Sequence, residues 1–232
     1  MFSSAGDGHF IRHGYEDVYR TTVDNATGGL ALDVGCGTGK HSVNLARRGF
    51  RTVAIDLSLK AVMVAKEHAE SENVRVYFVV ADAENMPFKD DAFDVVFCAL
   101  ILHHFPDMKA ISAEIARVAK GYLFALETNA LEPLTFLKFN VVNPILKPKF
   151  MTPNQRALFP KKLKSIFENK GFSGFDFSWI DIHVGYKGLV GAVTRVYTEA
   201  FKFLPKKNRS NKFIMACRKT ERTSADAKIT EG

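Results

Sequence analysis

Residues Leu30-Ala31-Leu32-Asp33-Val34 form a short apolar run, and Gly35-Cys36-Gly37-Thr38-Gly39 follows it at once. Such a run fits a strand buried on both faces of a parallel sheet. Glycines at alternate positions let the backbone take positive φ and let a ligand approach the main chain closely. Lys40 to Arg48 then reads as a helix closed by Gly49. Three ligand classes use a turn of this kind. A phosphate-binding loop needs G-x-x-x-x-G-K-[ST], but His41 follows Lys40 and Val34 stands five places before Gly39. A dinucleotide fingerprint needs G-x-G-x-x-G, but its last place holds Lys40 and the third glycine falls one place early. A pyrophosphate also gains nothing from Asp33 immediately upstream. The third class is a cationic, phosphate-free nucleoside, for which a carboxylate near the turn helps to hold an ammonium.

The alternation continues. Arg51 to Leu57 reads as a strand, and Ser58 as the cap of a helix carrying Val62, Ala65 and Ala69. Val74 to Ala81 and Phe93 to Leu100 read as strands. Asp107 is placed to cap a helix with Met108, Ile111, Ile115 and Val118 on one face. Gly121 reads as its end and Tyr122 to Glu127 as a fifth strand. This rhythm predicts an α/β fold, a parallel sheet with helices on both faces. Ahead of it, Phe10 to Val23 reads as a helix broken at Thr27-Gly28-Gly29.

After Thr128 the rhythm fails. Pro133, Pro144, Pro148 and Pro153, with Pro160 as a closing breaker, mark an aromatic-rich insertion. A short helix through Leu163, Ile166 and Phe167 ends at Gly171, and Phe172 to Ile180 alternates as a strand. Residues 187–204 set Leu189, Val193, Val196, Ala200 and Leu204 on one helical stripe, and Phe213 to Arg218 is a last strand. The expected organisation is a single domain over 1–219. Residues 1–28 would be a helical lid, 130–160 and 182–210 substrate-cap insertions, and 220–232 a flexible tail.

Composition narrows the function classes. With 232 residues, 47% hydrophobic and 25% charged, the chain suits one folded core. No apolar run reaches the roughly 18 residues of a membrane-spanning helix. Cys36, Cys98 and Cys217 are far apart and form no CxxC, which argues for a reducing compartment and against a disulfide framework or a structural zinc site. No metal site is expected. Asp7, His9, Arg12, Glu16 and Asp17 make the first twenty residues unlike a secretory signal, so a cytoplasmic location is expected. Residues 1–130 hold 13 Lys and Arg against 17 Asp and Glu, and residues 131–232 hold 19 against 8. The basic half can meet nucleic acid, an anionic membrane surface or an acidic substrate, or can simply be a solvated surface.

Asp33, Asp56 and Asp82 stand at the ends of three consecutive predicted strands, along the sheet edge where ligands bind. Asp56, 19 residues after Gly37, can accept two hydrogen bonds from ribose hydroxyls. Asp82, in Val80-Ala81-Asp82-Ala83-Glu84, can accept from the exocyclic amine of an adenine. The alternative is that the three acids only cap the turns that follow them.

With these residues in place, the stretch from about Leu30 to Glu127 resembles the class I S-adenosylmethionine-dependent methyltransferases of the small-molecule kind often called type 11. The likeness rests on LDVGCGTG, on AID at 54–56, on VADAENMPF at 80–88 and on FDVVFCALILHHF at 93–105. It implies a Rossmann-like, mostly parallel seven-stranded sheet whose last strand, Phe213 to Arg218, is antiparallel. It implies S-adenosyl-L-methionine as cofactor, held by the turn residues Gly35, Cys36, Gly37 and Gly39. By the same likeness Asp33 would steady the amino group, Asp56 the ribose, and Leu57, Asp82 and Ala83 the adenine. Cys98, Ala99 and Leu100 would border the sulfonium, and Tyr15, with Arg12 and His13, would close over it.

The implied reaction is an in-line displacement at a sulfonium methyl, in which alignment and water exclusion do much of the catalysis. His103 and His104 stand beside the expected methyl, where either could take a proton from a hydroxyl or ammonium acceptor; the alternative is that they anchor a loop. Phe136, Phe139, Phe150, Phe159, Leu189, Phe201 and Phe203, with nearby lysines, suit an apolar or amphiphilic acceptor or a surface docked on anionic lipid. Other readings remain open. These are an RNA or protein methyltransferase docking through the basic half, a nicotinamide-dependent oxidoreductase, and a non-catalytic cofactor-binding protein.

Overall fold

The computed structural model describes residues 28–146, 155–180, 196, 199, 200 and 202–220. Seven strands form one sheet: β1 (Leu30–Val34), β2 (Arg51–Asp56), β3 (Val76–Val80), β4 (Phe93–Ala99), β5 (Ala119–Thr128), β6 (Phe172–Ile180) and β7 (Lys212–Lys219). Their order is β3-β2-β1-β4-β5-β7-β6. The β1–β5 ladders are parallel, and β7 runs against both of its neighbours. The order reverses between β1 and β4, and the crevice at such a switch point is where open α/β sheets bind ligands.

The helices whose bounds fall within the described residues are α1 (Lys40–Arg47), α2 (Leu59–Ser71), α3 (Lys109–Val118), α4 (Pro133–Leu137), α5 (Asn143–Leu146), α6 (Pro160–Glu168) and α7 (Lys206–Arg209). A 3-10 turn at Leu102–His104 follows β4, and a π-helical turn at Lys138–Val142 joins α4 to α5. Alternate strand residues serve opposite faces. Leu32, Val34, Val96 and Phe213 pack with Ile111 and Ile115 of α3 and Leu163 and Phe167 of α6. Ala31, Val95, Phe97 and Phe124 pack with Leu45 of α1 on the other face, and Ala54 with Ala65 of α2. Five phenylalanines (Phe93, Phe97, Phe124, Phe167, Phe213) are fully buried. Each contributes roughly 1.5–3 kcal/mol, more than a typical helix cap of about 1 kcal/mol.

Several expected boundaries shift for physical reasons. Gly121 does not end α3; it lies inside β5. A Cβ there would stand 2.5 Å from the Asp94 carbonyl oxygen, where the β4–β5 register slips between Phe93 and Val95. The glycine thus admits a close backbone approach within a strand. Asp107 is not the cap residue of α3: Met108 is, and the Asp107 carboxylate accepts the Lys109 N–H at 2.9 Å. Pro160 opens α6 instead of closing the insertion, because its missing N–H costs nothing at a first helical position. Ser58 caps α2 as expected, accepting the Ala61 N–H at 3.3 Å.

No helix joins β3 to β4. Arg117 of α3 ties that loop down instead. Its guanidinium donates to the Phe88 and Met86 carbonyls at 2.6 and 2.9 Å and to the carboxylates of Glu114 and Asp90. The helix expected over Phe10–Val23, with Tyr15, and most of the 187–204 stripe lie outside the described residues. Among the described residues, no helix is long and apolar enough to cross a membrane.

Candidate active site

The turn after β1 is built from main chain. Gly35, Gly37 and Gly39 have φ of 68°, 53° and 77°. At Gly39 a side chain would also strike Ala65 of α2, whose Cβ stands 2.9 Å from where the new carbon would be. The Cys36 N–H donates to the Ile55 carbonyl at 2.8 Å and fixes the turn to β2. Among the described residues, nothing stands within 4 Å of where a side chain at Gly37 would begin. The Gly37 N–H donates to Asp56 Oδ2 and the Ser58 N–H to Asp56 Oδ1, both at 2.9 Å. One carboxylate therefore joins the turn to the β2–α2 loop and keeps spare lone pairs on both oxygens.

The three acids stand at three depths. Asp33 pairs with Ala54, two residues below Asp56, and is buried. Ser42 of α1 donates its hydroxyl to Asp33 Oδ2 at 2.5 Å. Burial pushes the Asp33 carboxyl up to about 7, against the Ser42 hydrogen bonds, which pull it down. Asp56 is half-buried at the rim. Asp82 lies beyond β3, exposed, with Oδ1 accepting the Glu84 N–H at 2.9 Å. Beside Asp56, Leu57 is 74% exposed, a large apolar side chain on the crevice edge. Cys98 departs from its expected place. Its thiol is wholly buried in the core and burial raises it well above 9, so its side chain cannot border a ligand. Ala99 and Leu100, which follow it, are half-buried, and Leu100 holds a non-glycine φ of 56°. His41, where a phosphate loop needs Ser or Thr, packs against Phe97 with ring centroids 5.2 Å apart, and burial lowers it to about 3.

Sequence reasoning missed Glu127. It stands one residue before the end of β5, fully buried, and it organises the loop that carries the histidines. Its Oε1 accepts the N–H groups of Ile101 at 3.1 Å and Leu102 at 2.7 Å, and its Oε2 lies 2.8 Å from His103 Nδ1. Where Oε2 accepts from Nδ1–H, the neutral ring of His103 carries its lone pair on Nε2. The signal was an acid closing the apolar run Leu123-Phe124-Ala125-Leu126 at the ligand-binding edge. The His104 ring packs tilted against that of His103, centroids 4.4 Å apart, and the Gln155 amide reaches its Nε2 at 3.1 Å. Burial lowers His104, His103 lowers it further, and the Glu127 and Asp56 carboxylates act in the opposite sense. His103 lines a cavity, and its neighbour His104 lies within the field of the Asp56 carboxylate.

That cavity, of about 300 Å³, lies where the starts of α3 and α6 face the insertion. Phe105, Met108, Phe136 and Phe159 line it, with His103 and Asn140 among its polar groups. Asn140 is held in place by the Ala157 N–H, which donates to its Oδ1 at 3.1 Å. Among the described residues no cluster of His, Cys, Asp or Glu could hold a metal ion.

An open α/β sheet with a glycine turn after β1 and acids along its ligand-binding edge is the frame of Rossmann-like nucleoside-cofactor proteins. Residues 32–124 match the family described as "Methyltransferase domain". The chain is 31% identical over 186 residues to the demethylmenaquinone methyltransferase of Staphylococcus saprophyticus, covering 69% of this chain and 79% of the relative. It is 39% identical over 103 residues to a ubiquinone biosynthesis O-methyltransferase of Pseudoalteromonas translucida, covering 42% and 44%. It spans less than half the length of several curated relatives that it matches. Magnesium protoporphyrin IX methyltransferase of Synechocystis PCC 6803, with bound SAH, superposes with a TM-score of 0.65 at 20% identity, covering 93% of this chain and 90% of that one. The chain belongs to the S-adenosylmethionine-dependent methyltransferase family.

Proposed function

We propose that this chain transfers the methyl group of S-adenosylmethionine to a hydroxyl of a small apolar acceptor. The observation that carries the reading is the Glu127–His103 pair, 2.8 Å apart, with His103 in the wall of a cavity lined largely by apolar side chains and with His104 beside it in the field of the Asp56 carboxylate. The crevice suits the cofactor on its own features. Among the described residues nothing crowds a ligand at Gly37, Asp56 keeps lone pairs for two ribose hydroxyls, and Leu57 offers an uncovered apolar side chain to an adenine. The Gly35–Gly39 turn would hold the amino-acid end, with buried Asp33 beneath it acting on the ammonium through its charge and not by contact, and Asp82 and Ala83 would hold the adenine edge. When bound, the cofactor supplies an activated methyl on a positively charged sulfur.

The chain's own residues do the rest. The cavity aligns the acceptor and excludes water, which matters most for an already activated donor. Glu127 fixes the His103 ring and favours the tautomer with a basic Nε2. His103 Nε2 takes the hydroxyl proton as the oxygen attacks, and Glu127 stabilises the resulting imidazolium. The relatives named for demethylmenaquinone and for ubiquinone biosynthesis support a quinone-type, apolar acceptor, and the second, an O-methyltransferase, supports oxygen as the acceptor atom.

The test is incubation with methyl-labelled S-adenosylmethionine and separate lipid, metabolite and RNA extracts. Label is expected in apolar hydroxyl compounds. His103→Ala should cut the labelling by about a hundredfold or more and leave S-adenosylhomocysteine affinity nearly unchanged by calorimetry. Label in RNA alone, or full turnover by the variant, would overturn the reading.

A further inference from the structure

The insertion after β5 leaves an apolar face uncovered beside the cavity mouth. Leu134, Leu137, Val141 and Ile145 follow one another at spacings of three, four and four residues along α4, the π turn and α5, so they share one stripe. All four are exposed, Ile145 at 72%. Phe136 of the same segment is exposed, and its ring lies 6.1 Å from that of exposed Phe159. Both rings line the cavity, so the stripe and the cavity opening share an edge.

The charge around this face is one-sided. Residues 131–167 hold seven Lys and Arg, among them Lys138 in the π turn and Lys162 in the cavity wall, against one acid, Glu132. Glu132 is buried, and its two oxygens accept the N–H groups of Leu134 and Thr135 at 3.0 and 2.6 Å. The one acid is thus turned inward, while among the described residues Lys138, Arg156, Lys161 and Lys162 are exposed. A nucleic acid would answer the cations and could stack on Phe136 and Phe159, but it leaves the four aliphatic side chains of the stripe in water. An anionic bilayer answers both, burying the stripe at the acyl boundary while lysines meet the headgroups.

We propose that residues 133–146 dock this chain on the surface of an anionic membrane, with the cavity mouth at the lipid boundary. Docking itself is independent of the methyl-transfer reading. Only its consequence, that an apolar acceptor enters the cavity directly from the bilayer, rests on that reading.

The test is sedimentation of the full chain with vesicles of phosphatidylcholine alone or with about a third phosphatidylglycerol. Binding is expected to the anionic vesicles only, and to fall as salt rises to about 0.5 M. The double variant L137D/I145D should lose roughly tenfold or more of that binding. It should keep the rise in melting temperature that S-adenosylhomocysteine gives the parent chain, which shows it folded. Lys138→Glu with Lys162→Glu provides a second, less intrusive variant and should also bind weakly. Equal recovery with both vesicle types, or undiminished binding by both variants, would overturn the proposal. So would competition by a short RNA that the apolar substitutions leave unaffected. A parent chain that binds vesicles but shows no S-adenosylhomocysteine shift would count against the cofactor reading and not against docking.

Discussion

At the scale of single residues, burial decides the chemistry. Glu127→Gln replaces one oxygen with an amide nitrogen and keeps the shape. The amide oxygen can still hold the Ile101 and Leu102 N–H groups, and its NH2 then faces His103 Nδ1. The ring must offer a lone pair on Nδ1 and carry its proton on Nε2, where it cannot act as a base. Turnover should fall by about a hundredfold or more with S-adenosylhomocysteine affinity unchanged, and a normal rate would reduce Glu127 to a loop anchor. Asp33 makes a different prediction. In the folded chain it keeps its proton up to about pH 7, because burial penalises the charge; its ordinary value is 3.8. Folding takes up a proton between these limits, so stability contributed at low pH is lost as pH rises from about 4 to 7. Asp33→Asn, which can still accept from Ser42, should show a flatter stability curve over that window in urea titrations. An unchanged slope would remove Asp33 as the cause. If the cofactor ammonium sits near Asp33, binding at pH 6.5 should release protons, and the calorimetric enthalpy should then vary with the buffer.

At the scale of elements, the sequence was most legible where hydrophobic periodicity decides structure. The β1 run, the capped α2 and the alternation in β6 follow directly from residue pattern, and the ends of β1, β2 and β3 carry their acids to one edge. Legibility stopped where a contact between distant residues overrode a local rule. Gly121 is a stop signal in sequence, yet the Asp94 backbone makes it a strand residue. Asp33, read as a rim carboxylate, sits deeper because Ser42 holds it from the neighbouring helix. Glu127 became visible as a site residue only when the 3-10 turn folded back on it. The β3–β4 loop shows the same dependence, since its order comes from Arg117, 24 residues beyond Phe93 in chain order. Arg117→Ala should destabilise the chain by about 2–3 kcal/mol, because several charge-assisted hydrogen bonds go at once. It should also weaken S-adenosylhomocysteine binding if Asp82 and Ala83 meet the adenine. A loss of stability with no loss of affinity would separate the loop from the site.

At the scale of the whole molecule, the sheet's switch point gathers the glycine turn, the acids and the histidine pair, although they are spread from Asp33 to Glu127. None of them forms a site alone, so a ligand that bridges them should bind the native chain and not the unfolded one. Stabilisation then follows mass action: at a hundredfold excess over Kd it amounts to about 2.7 kcal/mol. For a chain of this size that raises Tm by roughly 5–10 °C. S-adenosylhomocysteine should give this rise, growing with the logarithm of its concentration, and Asp56→Ala should shift the whole curve to higher ligand. NAD should give almost none, because Asp33 lies beneath the turn where a pyrophosphate would rest and because no glycine stands at position 40. A shift with NAD and none with S-adenosylhomocysteine would mean that the crevice holds a phosphate after all. The charge argument built on Asp33 and Asp56 would then fail together with the cofactor assignment.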